Sequence, residues 1–261
     1  MGMMEQITRG KASKPPRLVL YGVEGVGKST MAAEAPGSVF IAVEDGLSEI
    51  DCAKFPLARS LDEVLHALSE LRTTQHEFQT VVIDSLDWLE RLIFDRVCHD
   101  FGVKCIEKAD GGYSRGYKHA LVHWREFLEA LDALRNEKGM AVILIAHSKV
   151  ERFEDPESPA YDRYVPRIHH LAAAMICEWS DMVLFATRRI RTQTEDAGFN
   201  RVRTIATGIG ADGGERILRT IGGPACVAKN RYGLPAEIPL SWAALMDGLT
   251  KSVGTSNAKG A

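Results

Sequence analysis

Short apolar runs and helix-period stripes alternate along this 261-residue chain. Residues 17–21, 38–43, 80–83, 141–146 and 182–187 are runs of Val, Ile, Leu and Phe with almost no polar interruption. Such runs predict strands covered on both faces, as in a parallel sheet. Between them the apolar spacing changes to three and four. Ser60 and Glu63 form a capping box opening a helix whose Leu61, Val64, Leu65, Leu68 and Leu71 share one face. A helix from about 86 to 98 turns Trp88, Leu89, Leu92 and Ile93 inward, and one from about 116 to 135 does the same with Trp124, Phe127, Leu128, Leu131 and Leu134. A further helix is expected near 168–179. Strand and helix alternating in this way predict an α/β fold with a mostly parallel twisted sheet flanked by helices. The stretches 201–205 and 216–221, with a Gly-rich segment between them, predict a C-terminal antiparallel hairpin. Residues 1–14 read as a flexible arm, 15–247 as one domain, and 248–261 as a disordered tail. Two long connections, 102–116 and 149–167, read as loops of the kind that carry function.

Polar residues gather where the apolar runs end. After the first run comes Gly22-Val23-Glu24-Gly25-Val26-Gly27-Lys28-Ser29-Thr30, which matches G-x-x-x-x-G-K-[ST] between a strand and a helix. Glycines let the backbone curl so that its N–H groups face phosphates, Lys28 reaches the terminal phosphates, and the Ser29 hydroxyl holds Mg²⁺. ATP and Mg²⁺ are therefore the expected ligands. The second run delivers Glu44 and Asp45, the third Asp84, and the fourth His147. Ligands of open parallel sheets bind off the carboxyl ends of the strands, so these side chains are expected beside the phosphates. Asp84 is the expected second metal-shell residue. The residue after it is Ser85, not Glu, so the general base must come from elsewhere, and Glu44 is the best-placed carboxylate. His147 is expected to sense the γ-phosphate.

Composition excludes several classes. Hydrophobic content of 45% and charged content of 26% are ordinary for a soluble globular protein, and the formal charge of −3 means that any nucleic-acid surface must be local. No apolar run approaches the ~20 residues of a membrane span, and no signal segment is legible, so a cytoplasmic protein is expected. Five scattered cysteines without a CxxC read as reduced thiols, and Cys98, His99 and Cys105 do not complete a zinc set. In the first long loop Tyr113, Arg115 and Lys118, and in the second Arg152, Phe153, Arg163 and Tyr164, combine aromatics with cations in the manner of single-strand binding sites. The acids of the 149–167 segment weigh against that use and leave a lid or a subunit contact open. Lys229 and Arg231 stand at a further strand tip, as cations able to neutralise charge on a phosphate.

In this order the motifs resemble the RecA-like branch of P-loop ATPases, which holds the RecA recombinases and DnaB-type helicases. Phe40-Ile41-Ala42-Val43-Glu44 looks like the strand carrying the catalytic glutamate, and Val81-Val82-Ile83-Asp84-Ser85 looks like the family's Walker B segment. Lys229-Asn230-Arg231-Tyr232-Gly233 resembles the K-x-R-x-G element whose cations act across a subunit interface, and His147 stands where RecA recombinases carry glutamine. Gly112-Tyr113-Ser114-Arg115-Gly116-Tyr117, Ala146-His147-Ser148-Lys149-Val150 and Glu178-Trp179-Ser180-Asp181 look like small phage-encoded RecA-like ATPases of single-strand annealing and recombination. The resemblance covers about residues 15–247 and implies a homo-oligomeric, DNA-stimulated ATPase. Its expected partners are single-stranded DNA and a single-strand DNA-binding protein. Only a short arm at 1–14 stands where full recombinases carry a long polymerisation domain, which argues against a filament and leaves a ring or a looser oligomer open. A second reading is an ATP-dependent loader or switch acting through a protein partner. A small-molecule kinase ranks below both, because no acceptor-site signature is legible.

Overall fold

The computed structural model describes residues 3–7, 14–196, 202–208 and 214–257, and side chains for all of these except 191–196, 202–208 and 252–257. The strands are β1 (Arg17–Gly22), β2 (Ser38–Ala42), β3 (Ala53–Lys54), β4 (Thr80–Asp84), β5 (Ala141–Phe153), β6 (Tyr161–Pro166), β7 (Met182–Arg188), β8 (Ile190–Asp196), β9 (Val202–Gly208), β10 (Arg216–Arg219), β11 (Lys229–Asn230) and β12 (Glu237–Pro239). The helices are α1 (Lys28–Ala33), α2 (Leu61–Thr73), α3 (Leu86–Asp100), α4 (Arg115–Ala133), α5 (His170–Trp179) and α6 (Trp242–Asn257).

One ten-stranded sheet runs in the order β3-β2-β4-β5-β1-β7-β10-β12, with β6 paired to β5 and β11 to β7 off that path. Its six strands from β3 to β7 are parallel, while β10 and β12 extend it antiparallel. β1 lies between β5 and β7, and β5 separates it from β4. The register fixes the functional edge. Gly22 pairs with His147, Asp84 with Ile145, and Ala42 with Asp84. Four strand tips thus end at one level.

The apolar runs are buried on both faces for a simple reason. Side chains at successive strand positions point to opposite sides. Val19, Tyr21, Ile41, Val81, Ile83, Val142 and Leu144 pack with α2 to α5, whereas Leu18, Leu20, Phe40, Val82, Ile143 and Ile145 pack with α1 and α6. Trp124, Phe127, Leu131 and Leu134 are all fully buried, as the helical stripe requires. Ser60 caps α2 by accepting from the Glu63 N–H, and the Glu63 carboxylate accepts from the Arg59 N–H.

Three expectations change. The 149–167 stretch is not a structureless loop, because β5 continues to Phe153 and pairs antiparallel with β6 from Ser148↔Pro166 to Phe153↔Tyr161. Alternation of Arg152 and Arg163 with Phe153 and Tyr164 across this pair is a strand signal that the prolines and acids masked. A C-terminal antiparallel hairpin is present, but its strands are β8 and β9, and 216–219 instead pairs with β7 and β12. Residue 201, expected in that hairpin, lies outside the described residues. Finally, α6 continues to Asn257, so helix occupies most of the segment read as a disordered tail, and 258–261 lie outside the described residues. Among the described residues, no helix is long and apolar enough to cross a membrane.

Candidate nucleotide site

The loop after β1 is shaped by two glycines. Gly22 lies so close to β7 that a Cβ there would meet the Ala186 carbonyl oxygen at 2.0 Å. Gly27, at φ 104°, caps α1 in a left-handed conformation that other residues rarely adopt. These positions turn the chain tightly enough to present Lys28 and Ser29 inward. Lys28 is buried, and its ammonium donates to the Val23 carbonyl at 2.9 Å and the Gly22 carbonyl at 3.3 Å. Burial lowers its pKa, with Asp84 the strongest opposing influence. The Ser29 hydroxyl donates to Asp84 at 2.6 Å. Asp84 is itself buried, and desolvation raises its pKa against the hydrogen bond from Ser29 and the charge of Lys28. A hydroxyl and a carboxylate held together are a hard oxygen donor pair that fits Mg²⁺. The Asp84–Ser85 peptide is cis.

Gly25, Gly27, Lys28, Ser29, Thr30, Glu44, Asp84, His147 and Arg216 line one open cavity of about 330 Å³. The P-loop, Glu44, Asp84 and His147 therefore converge as their strand-tip positions imply. Glu44 is half-buried, and its pKa is raised by desolvation and then by the charge of Asp84. Glu44, Asp87 and His147 each offer one ligand atom within 4.8 Å of the others.

Behind this wall lies a network not anticipated from the sequence. Asp87, buried in the first turn of α3, accepts from the His147 backbone N–H at 3.1 Å and from the His147 ring at Nδ1 at 3.1 Å. Arg167 donates to the same carboxylate at 2.9 Å and to Glu24 of the P-loop at 3.1 Å. Burial would raise the Asp87 pKa, but these hydrogen bonds hold it far below the ordinary range. An ionised carboxylate only accepts, so the proton of His147 sits on Nδ1. Arg167 follows β6, so the P-loop, the strand tip of β5 and the β5–β6 hairpin are tied together.

The hairpin is anchored again through Tyr21. Its buried hydroxyl donates to the carbonyls of Tyr164 at 3.1 Å and Val227 at 2.5 Å, while Phe185 packs against both Tyr21 and Tyr164. Of the residues expected to contact DNA, Tyr164 therefore has one ring face on Phe185. Arg152 pairs with Glu154 at 3.6 Å and Asp162 at 4.0 Å. Arg163 lies 3.8 Å over the Phe153 ring. The 102–116 connection contrasts with this. Tyr113 is 93% exposed at φ 53°, next to Ser114 at φ 60°, and Arg115 and Lys118 are exposed on α4 beside it.

Lys229 and Arg231 lie elsewhere. β11 pairs Lys229 with Val183 and Asn230 with Met182, at the start of β7, whereas the P-loop pairs with its far half at Ala186. Lys229 donates to the carbonyls of Cys177, Glu178 and Ser180 at 2.8–2.9 Å, closing the end of α5. Arg231 remains half-exposed with one ion pair, to Asp181 at 3.3 Å. Neither cation reaches this chain's own cavity.

Sequence reasoning missed Asp87, Arg167 and Arg216. Asp87 follows Asp84 by three residues and resembles an ordinary acid in a first helical turn. Arg167 and Arg216 come from chain segments far from the P-loop, and only tertiary structure brings them to it.

The family model described as AAA domain (AAA_24) matches residues 14–232. A curated relative, the SPbeta prophage-derived uncharacterized protein YorG of Bacillus subtilis (strain 168), is 22% identical over 172 residues, covering 64% of this chain. The chain spans about half the length of that relative, 49%. Among solved structures, the RadB recombinase crystal structure is 12% identical, covers 88% of this chain and 90% of its own, and has a TM-score of 0.48. With a family match extending from the start of the sheet to the Lys229–Arg231 element, and a P-loop serine held against the Asp84 carboxylate, the chain belongs to the AAA-domain family of P-loop ATPases.

Proposed function

We propose that this chain hydrolyses Mg·ATP at the C-terminal edge of its sheet and couples turnover to single-stranded DNA in phage-type recombination or annealing. The observation that carries the ATP reading is the Ser29–Asp84 contact of 2.6 Å in a cavity also lined by Lys28, Glu44 and His147. Ser29 and Asp84 would hold Mg²⁺, which supplies charge compensation on the β- and γ-phosphates. Lys28 would leave the Val23 and Gly22 carbonyls for the phosphate oxygens. Glu44 would take the proton of the attacking water, which forms the new bond to the γ-phosphorus in line with the departing ADP oxygen. Burial and the charge of Asp84 raise its pKa, which makes its carboxylate a stronger base than an exposed one. His147, oriented by Asp87, would report the γ-phosphate to the β5–β6 hairpin through Arg167.

Completion of the site by a neighbour is a further part of the reading. Arg231 is favoured over Lys229 as the cation acting in trans, because Lys229 already donates three hydrogen bonds to α5 carbonyls. Single-stranded DNA is supported by the outward Tyr113 with Arg115 and Lys118, an exposed aromatic and two exposed cations suited to meet bases and phosphates.

One observation favours the alternative, an ATP-dependent loader or switch with a protein partner. The hairpin's Arg152 is engaged by the hairpin's own acids, and Arg163 and Tyr164 pack on Phe153 and Phe185. ATP hydrolysis measured without DNA, with single strands and with duplex separates the two. Salt-sensitive stimulation by single strands, lost in Lys28→Ala, supports direct DNA coupling. An active enzyme indifferent to DNA supports the switch.

A further inference from the structure

We infer that Arg216 is a same-subunit cation for the α- and β-phosphates of the bound nucleotide. This deepens the proposed function and rests on the nucleotide occupying the cavity at the P-loop. Arg216 opens β10, on the antiparallel extension of the sheet, and lines that cavity. One of its guanidinium nitrogens, Nη1, lies 3.1 Å from the point that a Cβ on Gly27 would occupy. The guanidinium therefore rests on the P-loop backbone where Gly27 leaves room. P-loop N–H groups cradle the α- and β-phosphates, while the lysine reaches further, to β and γ. A cation seated against Gly27 is aimed at the first pair.

Charge at this edge points the same way. The neighbouring arginines of the extension have carboxylates: Arg189 pairs with Glu215 at 2.8 Å and Glu237 at 2.9 Å, and Arg219 with Glu237 at 3.5 Å. Lys28 is folded onto carbonyls and Arg167 is bound by Asp87 and Glu24. Arg216 is exposed, and among the described residues no carboxylate forms an ion pair with it. A planar guanidinium suits two oxygens of a di- or triphosphate at once.

The test is calorimetric titration, in Mg²⁺, of wild type, Arg216→Ala and Arg216→Lys with ADP and with a non-hydrolysable ATP analogue. Arg216→Ala is expected to weaken both nucleotides about tenfold or more by a similar factor, since a charge-assisted hydrogen bond to phosphate is lost in each. Arg216→Lys should keep part of that affinity. An exposed residue leaves folding intact, which unchanged melting without nucleotide verifies. Unchanged affinities in Arg216→Ala would overturn the assignment, and a loss confined to the ATP analogue would overturn it by moving the contact to the γ-phosphate. A wild type that binds neither nucleotide would instead overturn the nucleotide site itself.

Discussion

The two ends of β1 and β7 use their charges differently. At the N-terminal end Asp181 accepts from the Arg17 backbone at 3.0 Å and from the side chains of Arg17 at 3.1 Å, Arg135 at 3.2 Å and Arg231 at 3.3 Å. Burial would raise its pKa, and the hydrogen bonds from Arg17 hold it below the ordinary carboxylate range. Every partner there is supplied by the fold. At the C-terminal end, Lys28 rests on backbone carbonyls, Asp84 and Glu44 carry raised pKa values, and Arg216 faces the cavity. Buried charge is tolerable when it is paired, and costly when it is not. One end is complete as folded. The other is arranged for charges that a ligand brings.

This difference can be broken in graded steps. Among the variants that set the two ends against each other, Lys28→Ala should have the largest effect, lowering turnover by about 10²–10³ because a cation for the transferring phosphoryl group is lost. Steady-state hydrolysis would check it, and near-normal rates would remove Lys28 from the chemistry. Asp87→Asn comes next. It leaves Arg167 without a carboxylate partner on α3 and frees the His147 tautomer, costing about 3 kcal/mol of stability together with turnover. Asp181→Asn should cost a similar amount in urea denaturation while nucleotide affinity per subunit stays unchanged. Equal losses of nucleotide affinity in both variants would erase the distinction between the ends.

Arg231→Ala sharpens the comparison differently. Mixed with Lys28→Ala subunits, it should restore part of the hydrolysis, because one chain supplies the P-loop and the other the trans cation. Failure to complement would assign Arg231 to Asp181 alone.

The smallest effect concerns Glu90, whose pKa is pushed up to about 7 by burial, against the hydrogen bond from the His169 backbone. Lys149, Asp87 and the stacked Tyr117–His169 pair surround this position. A carboxyl with a raised folded pKa favours the folded state at low pH, and that contribution fades as pH rises through about 7. Glu90→Gln should therefore flatten the stability profile between about pH 4.5 and pH 7, gaining on the order of 1–2 kcal/mol relative to wild type at pH 8. A wild-type profile already flat over that window would show Glu90 to be ionised throughout.

What was legible in the sequence divides along the same lines. The parallel strands and most of the α2 to α4 stripes follow from periodicity, because complete burial leaves runs of Val, Ile and Leu that little else produces, although Trp88, expected inward on α3, is exposed. The P-loop, Glu44, Asp84 and His147 are legible because each sits at a strand tip, and a shared strand direction alone brings the tips together. Asp87 and Arg167 are not, since their meaning lies in a contact spanning 80 residues. The β5–β6 hairpin was hidden because its outer half is exposed and carries charge, so alternation there competes with a polar composition that reads as loop. Lys229 and Arg231 show the converse: their spacing is legible, but the three carbonyls that hold Lys229 are not.

The central claim is that Glu44 accepts a proton at a Mg·ATP site formed by Lys28, Ser29 and Asp84. Its most direct test is single-turnover hydrolysis by Glu44→Gln beside a measurement of nucleotide affinity. The expected result is ATP bound with near wild-type affinity and a chemical step slowed by about 10²–10⁴. A chemical step at the wild-type rate, with affinity equally preserved, would contradict the account and move the base to another residue of the cavity.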